Sequence, residues 1–316
     1  MKAFVTGGMG FLGAHLVSGL LRQGHHVHVF DQGLASTIDN SSPEGCVIVR
    51  GDLLDANSIR AAVSAANPDV VFHLAAVVNL DRSLDIADAC MRVNVLGTLN
   101  LLRALEEHSL ESFVLPSSVE VYGNGAIPFS EEQAAAPPSP YAVSKLAAEQ
   151  LALSLYRSKG FPAVVVRIAT AYGPGQPNHR LIPSLIGAFS RGERPALSNP
   201  DLSRDFLYVE DVVEGLLLAA ECQTGFGEVI NLGDEQTHTI KQVAETVRNL
   251  MMVDLAPRYG AMPARANEAR VWASSNEKAR KLLGWTPRTI LREGLKKTIS
   301  WYCSQSTTTS STVTNQ

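Results

Sequence analysis

Short apolar runs alternate with longer amphipathic stretches through the first half of the chain. KAFVT, HVHVF, CVIVR, DVVFHL, SFVLPSS and AVVVRIA are separated by segments such as LGAHLVSGLLRQG, NSIRAAVSAAN and SPYAVSKLAAEQLALSLYRSKG, which read as helices. The short runs are apolar at successive positions rather than at every second one. That is the pattern of strands covered on both faces, so a parallel sheet between two helical layers is expected, a doubly wound α/β fold.

From about Ala169 the alternation loosens and turn residues crowd in, as in YGPGQPN and RGERPALSNPD. A smaller C-terminal α/β lobe is expected there, made of 169–205 and 233–302. DFLYVEDVVEGLLLAAE and EVINLG, within about 206–232, read as a strand, a helix and a strand that return the chain to the main unit, 1–168. The Ser/Thr-rich end, 303–316, has little apolar area to bury and predicts a disordered tail.

The first apolar run breaks into TGGMGFLG. A glycine inside a helix costs roughly 1 kcal/mol relative to alanine, so Gly7, Gly8, Gly10 and Gly13 need another reason. Gly7-x-x-Gly10-x-x-Gly13 follows a predicted strand and opens an amphipathic helix, with Phe11 and Leu12 inside the motif. Such glycines permit a tight turn, let backbone N–H groups approach a pyrophosphate, and let helix pack on strand, while the helix N-terminus favours negative charge. Asp31 ends the second strand, 18 residues after Gly13. A carboxylate there accepts hydrogen bonds from ribose hydroxyls and repels a 2'-phosphate, which favours NAD over NADP. In RGDLLD, Asp52 and Leu53 follow the third strand, where an adenine edge would be read. The N-terminal unit is therefore expected to be a Rossmann-type NAD-binding domain.

Composition narrows the partners. The net charge of -4 leaves no basic surface for nucleic acid, so an anionic ligand must be met by local arginines. Cys46, Cys90, Cys222 and Cys303 are scattered, with no CxxC pair and no metal-ligand spacing. They read as reduced thiols of a cytoplasmic protein without a metal site. The first apolar run is too short for a signal peptide or a membrane span.

SPYAVSKLAAE places Tyr141 and Lys145 one turn apart on one helix face. A phenol with a reference pKa of ~10 is a poor base at neutral pH, but a nearby ammonium and an oxidised nicotinamide both favour phenolate. The pair is suited to moving a hydroxyl proton, although the same spacing also occurs on solvated helix faces. In LPSSVEVYG, Ser117 and Ser118 lie at the carboxyl edge where open α/β sheets place ligands. Ser118 is placed to hold a substrate hydroxyl against Tyr141.

TGGMGFLG, HLAA, VNVLGTLNLL, LPSSVEVYG, SPYAVSKLAAE, AYGPGQ and SRDFLYVEDV follow one another between Met1 and about Trp301. With these motifs the chain resembles the extended short-chain dehydrogenase/reductase superfamily, in its NAD-dependent nucleotide-sugar epimerase/dehydratase branch. The resemblance implies a triad in which Ser118 positions the sugar hydroxyl, Tyr141 is the acid/base, and Lys145 binds nicotinamide ribose and lowers the tyrosine pKa. Leu74, Ala75, Ala76 and Asn94 are implied near the cofactor. Asn94 reads equally well as a polar residue satisfied by backbone groups. Arg204 and Arg270 are implied to clamp the diphosphate, a bidentate task suited to guanidinium, with Arg82 and Arg180 as further candidates. Lys278, Leu282 and Trp285 are expected to be structural.

The implied reaction starts with hydride transfer from the sugar, usually at C4, as Tyr141 takes the hydroxyl proton. An epimerase then returns the hydride to the other face of the keto sugar. Glu120 stands where 4,6-dehydratases and glucuronate decarboxylases carry a glutamate, suited to removing a C5 proton, and it reads equally well as a structural acid paired with a neighbour. Val119 replaces the Asp or Ser that commonly precedes it and can donate no proton. Ala169 and Thr170 stand where many members have Phe-Asn, and ALSNPDLSRDF lacks the usual glycine-rich lead-in. An epimerase is the leading expectation. A dehydratase or decarboxylase using Glu120, a keto-sugar reductase and a non-catalytic cofactor sensor are the alternatives.

ACMRVNVLGTLNLLRALEEH and YAVSKLAAEQLALSLY carry apolar residues on more than one face. The resemblance implies a homodimer in which these helices pair as a four-helix bundle.

Overall fold

The computed structural model describes residues 1–33, 45–263 and 268–310, with side chains to 305. Its strands are β1 (Lys2–Thr6), β2 (His26–Asp31), β3 (Cys46–Arg50), β4 (Val70–His73), β5 (Ser112–Ser118), β6 (Ala163–Ile168), β7 (Thr170–Tyr172), β8 (Ser203–Tyr208), β9 (Val229–Leu232) and β10 (Thr237–Thr239). Seven form a parallel sheet in the order β3-β2-β1-β4-β5-β6-β9. The other three form a small sheet in which β8 runs parallel to β7 and antiparallel to β10.

The helices are α1 (Phe11–Arg22), α2 (Ala56–Ala66), α3 (Leu84–Cys90), α4 (Gly97–Ala104), α5 (Pro140–Lys159), α6 (Leu181–Ser190), α7 (Val209–Glu221), α8 (Ile240–Leu250), α9 (Glu277–Leu283) and α10 (Leu291–Ser310). Successive residues of β1 explain the unbroken apolar run. Val5 packs with Leu16 and Leu20 of α1 and Val212 and Leu216 of α7. Phe4 packs on the opposite face with Ile59 of α2, Leu101 of α4 and Ala148 of α5. No helix among the described residues is long and apolar enough to cross a membrane.

Three expectations need correction. CVIVR forms the edge strand β3, and Val47 and Ile48 are 50% and 40% exposed. Its apolar run therefore does not mark burial on both faces. The segment beginning DFLY returns to the main unit through α7 and β9, whereas β8 itself pairs in the small sheet. The last helix continues through 303–310, where a disordered tail was expected; 311–316 lie outside the described residues. Leu291 and Leu295 dock the helix in the small lobe's core, and a helix already nucleated extends at one hydrogen bond per residue.

The helix α5 carries the Tyr–Lys pair, and its ends are locally encoded. Ser139 caps it by accepting the Ala142 amide at 3.1 Å, Pro140 occupies the first turn, and Gly160 closes it at φ 68°. Between α3 and α4 the chain makes a π-helical turn, Met91–Leu96, that contains Asn94. Single π turns frequently occur at functional sites.

Candidate active site

The carboxyl ends of the parallel strands and the facing small lobe enclose a cavity of about 1410 Å³. Pockets for one small ligand are roughly 300–1,000 Å³, so there is room for a cofactor and a second molecule. The cavity brings together Gly7, Gly10, Phe11, Leu12, Gly13, Asp31, Leu53, Leu74, Ala75 and Ala76 at one end. Ser118, Glu120, Tyr141, Lys145, Arg82, Arg180 and Arg204 line the remainder.

The glycine loop fits a dinucleotide for steric reasons. Gly7 has φ +70°, and a Cβ there would stand 2.6 Å from the Ala75 amide nitrogen. At Gly13 a Cβ would stand 2.1 Å from the Gly7 carbonyl oxygen. Gly10 is the N-cap of α1 and brings the helix N-terminus to the cavity. Asp31 folds back on this loop, accepting the Met9 amide at 3.0 Å and the Gly33 amide at 3.1 Å while lining the cavity. Together these residues form a backbone-lined cradle with a carboxylate at its rim, as an NAD adenosine and pyrophosphate require.

Two residues expected at the cofactor are engaged elsewhere. Asp52 accepts the Leu54 amide at 2.9 Å and shapes its own turn, leaving Leu53 at the cavity. Asn94 is buried and accepts the Val77 amide at 2.7 Å. Its amide group donates to the Val77 carbonyl at 3.0 Å and to Ser144 Oγ at 2.9 Å. Asn94 thus ties the loop after β4 to α5 from behind the cavity wall.

Ser118 ends β5 and accepts the Glu120 amide at 3.2 Å, opening the short turn Val119–Tyr122. Tyr141 and Lys145 are both buried on the sheet-facing side of α5. Burial, followed by the charge of Glu120, pushes the Tyr141 phenol above its ordinary value, while Arg180 and a hydrogen bond with Ser118 oppose the rise. Burial pulls the Lys145 ammonium down to about 8, against an upward pull from Glu149. The site therefore holds a proton-bearing phenol and, one turn further along α5, an ammonium whose pKa burial lowers to about 8, groups suited to general acid–base chemistry.

Of the expected clamp, Arg204 is buried at the cavity and Arg270 is exposed outside it. Arg204 donates to Glu268 Oε1 at 2.8 Å and lies over the Trp272 ring, 4.4 Å from its centroid. The Arg270 backbone carbonyl, not its side chain, faces this group, accepting from Arg204 at 3.4 Å. Arg180 donates to the Val78 carbonyl at 3.0 Å, reaching from the small lobe to the loop after β4.

Sequence reading did not assign Thr170, Gln176, Glu268 or Trp272 to the site, yet all four line the cavity. Thr170 Oγ1, Gln176 Oε1, Trp272 Nε1 and Arg82 Nε are buried without a hydrogen-bond partner among the described residues. Gln176 was visible in AYGPGQ. For Trp272 and Glu268 the chain offers no local signal, because they reach the site through the small lobe's tertiary packing.

The GDP-mannose 4,6-dehydratase family model matches residues 4–298. A dTDP-glucose 4,6-dehydratase from Streptomyces griseus is 33% identical over 94% of this chain and 93% of its own length. UDP-glucose 4-epimerase from Thermotoga maritima, solved with UDP-glucose, superposes with a TM-score of 0.91 at 29% identity, covering 96% of this chain and 99% of that one. A dTDP-glucose 4,6-dehydratase from Bacillus anthracis, solved with NAD, gives a TM-score of 0.86 at 27% identity over 97% and 98%. With a seven-stranded parallel sheet, a glycine cradle beside Asp31 and a Ser–Tyr–Lys group at the strand ends, the chain belongs to the GDP-mannose 4,6-dehydratase family of NAD-dependent nucleotide-sugar epimerases and dehydratases, within the extended short-chain dehydrogenase/reductase superfamily.

Proposed function

We propose that the chain is an NAD-dependent nucleotide-sugar epimerase working through a transient 4-keto sugar. The observation that carries this reading is the setting of Glu120. Its Oε1 accepts from Ser139 Oγ at 2.8 Å, so the carboxylate braces the N-cap of α5. Beside it the buried Val119 offers no proton for a leaving hydroxyl. Elimination needs a mobile base and an acid here, whereas epimerisation needs neither.

Gly7, Gly10, Gly13 and Asp31 would hold NAD, which when bound supplies the hydride acceptor and donor. Ser118 and Tyr141 converge on the sugar hydroxyl; the Tyr141 phenol would first release its own proton to solvent, a loss that the Lys145 ammonium and an oxidised nicotinamide favour, and the phenolate then takes the hydroxyl proton. After the keto sugar has turned in the cavity, Tyr141 returns the proton to the same oxygen, and the atom count of the sugar is unchanged. Arg204, Arg180 and Arg82 face the diphosphate side, and relatives solved with UDP-glucose support a nucleotide-diphosphate sugar as substrate.

A second reading keeps its own support. Glu120 lines the cavity, and the relatives include dTDP-glucose 4,6-dehydratases. Proton NMR of the purified protein with a panel of nucleotide sugars and NAD, without external reductant, separates the two. A changed ring-coupling pattern at unchanged mass supports the epimerase. A 4-keto-6-deoxy or pentose product replaces it with elimination or decarboxylation by Glu120.

We further propose a cytoplasmic homodimer built on a four-helix bundle. Leu84, Met91 and Leu96 on the α3–α4 segment and Val143 and Tyr156 on α5 are exposed apolar side chains that a second copy would cover. Light scattering at micromolar concentration tests it, and a monomeric mass removes it.

A further inference from the structure

Behind Lys145 lies a buried ionic cluster that the proposed chemistry does not use. Glu149 stands one turn after Lys145 on α5 and is fully buried. Arg167, from β6, donates through Nε to Oε1 at 3.1 Å and through Nη2 to Oε2 at 2.7 Å. Ser117 Oγ, from the end of β5, also donates to Oε1. Arg167 lies over the Tyr122 ring, 4.7 Å from its centroid, and the Tyr122 hydroxyl donates to Asn231 Oδ1 on β9 at 2.8 Å. Two neighbouring strands, β5 and β6, thus hold one carboxylate in place.

Such a pair is a weak device for stability. Desolvating two ions offsets much of their attraction, and an apolar pair of similar volume commonly serves as well. For Arg167 burial opposes the charge, yet the hydrogen bonds and attraction of Glu149 outweigh it and raise its pKa. The Glu149 carboxylate also acts on a second cation, Lys145, whose proton burial would otherwise loosen further.

The other groups around Lys145 do not take that part. His73 on β4 is buried between Thr6 Oγ1 at 2.7 Å and Thr98 Oγ1 at 2.8 Å, and burial followed by the Lys145 charge drives its pKa down to about 3, leaving it neutral. Tyr141 on α5 is the phenol to be served. Glu120, in the turn after β5, is tied to Ser139, and Arg167 on β6 is a like charge.

We propose that Glu149, locked by Arg167 and Ser117, is a positioning residue that keeps Lys145 an ammonium in its buried seat, and that Arg167 sets how much of the Glu149 charge Lys145 receives. This rests on the reading of Tyr141 and Lys145 as the acid/base pair and deepens it. Removing the carboxylate then loosens the Lys145 proton. Removing Arg167 tightens it, because the whole Glu149 charge is left to Lys145.

The test is the titration of Lys145 by NMR of protein carrying 13C at lysine Cε, with the resonance assigned by its loss in Lys145→Met. The wild type, Glu149→Gln, Arg167→Met and the double variant are compared without substrate. Glu149→Gln is expected to lower the midpoint by about one unit, a tenfold loss of proton affinity. Arg167→Met is expected to raise it, and the double variant to fall below the wild type. Midpoints unchanged, or displaced in the same direction by both single variants, overturn the proposal and leave the pair a packing element. If Glu149→Gln does not fold with Arg167 stranded, the double variant decides, since it strands neither charge. The titration needs no turnover, so a wild type inactive on every nucleotide sugar would fail the functional reading without obscuring this result.

Discussion

The Ser139 hydroxyl donates to Glu120 Oε1 at 2.8 Å while its oxygen accepts the Ala142 amide at 3.1 Å. One serine therefore caps α5 and tethers the turn that follows β5, so Ser118 and Tyr141 are set by a shared fastening. Ser139→Ala is expected to cost about 0.5–2 kcal/mol of stability, the range for a lost N-cap, and to lower kcat while NAD affinity stays within about twofold. Urea unfolding and steady-state kinetics check both halves, and Ser139→Thr is expected to recover most of each.

Tyr141→Phe keeps the ring and removes the proton carrier. Turnover is expected to fall by about 10²–10⁴-fold, the usual contribution of a positioned acid/base, with NAD still bound. Near-normal turnover in this variant, measured by product NMR, would strip Tyr141 of its assigned role.

Lys145 makes activity and stability respond oppositely to alkali. Its pKa is lowered to about 8 by burial, so the ammonium is lost as pH rises through that value, and kcat is expected to decline there. The unfolded chain keeps this proton to about 10.4. Between those values the unfolded state binds more protons, and the Lys145 contribution to stability rises with pH. Turnover and melting temperature across pH 7–10, compared with those of Lys145→Met, reveal the two trends; a kcat flat through this range would contradict the first.

Asp205 and Asp234 behave in the opposite sense. Burial raises Asp205 to about 6, and burial followed by the Asp205 charge raises Asp234 to about 7. The Asp234 amide donates to Asp205 Oδ1 at 2.6 Å, which keeps the two residues together. Folded protein holds protons that the unfolded chain has released, so this pair's stabilising contribution is present below about pH 4 and is lost as pH rises toward 7. Asp205→Asn is expected to flatten that slope in melting temperature between pH 5 and 8. An unaltered slope would remove the assignment.

Gly13→Ala tests the cradle. With a Cβ at 2.1 Å from the Gly7 carbonyl oxygen, the loop must shift, and NAD affinity is expected to fall at least tenfold by calorimetry. Gly24→Ala is the control, because its Cβ meets no atom within 4 Å. Its positive φ of +77° confines any effect there to stability.

What the chain carries locally was readable from it. Except in CVIVR, the unbroken apolar runs foretold strands buried on both faces because successive residues of a strand point to opposite sides, as Phe4 and Val5 do. The glycine spacing foretold the cradle, and the one-turn interval foretold a shared face for Tyr141 and Lys145. These are short-range consequences of backbone geometry.

Tertiary structure alone decided which side chains meet. CVIVR became an edge strand, because its far side has no neighbour among the described strands. Asn94 turned to Val77 and Ser144, Arg204 found Glu268 across 64 residues of sequence, and Arg270 was left outside. Glu120 met Ser139 at the cavity wall. A buried polar group must take whatever partner the packing brings within about 3 Å. That choice depends on how distant segments dock, and no local pattern in the chain encodes it.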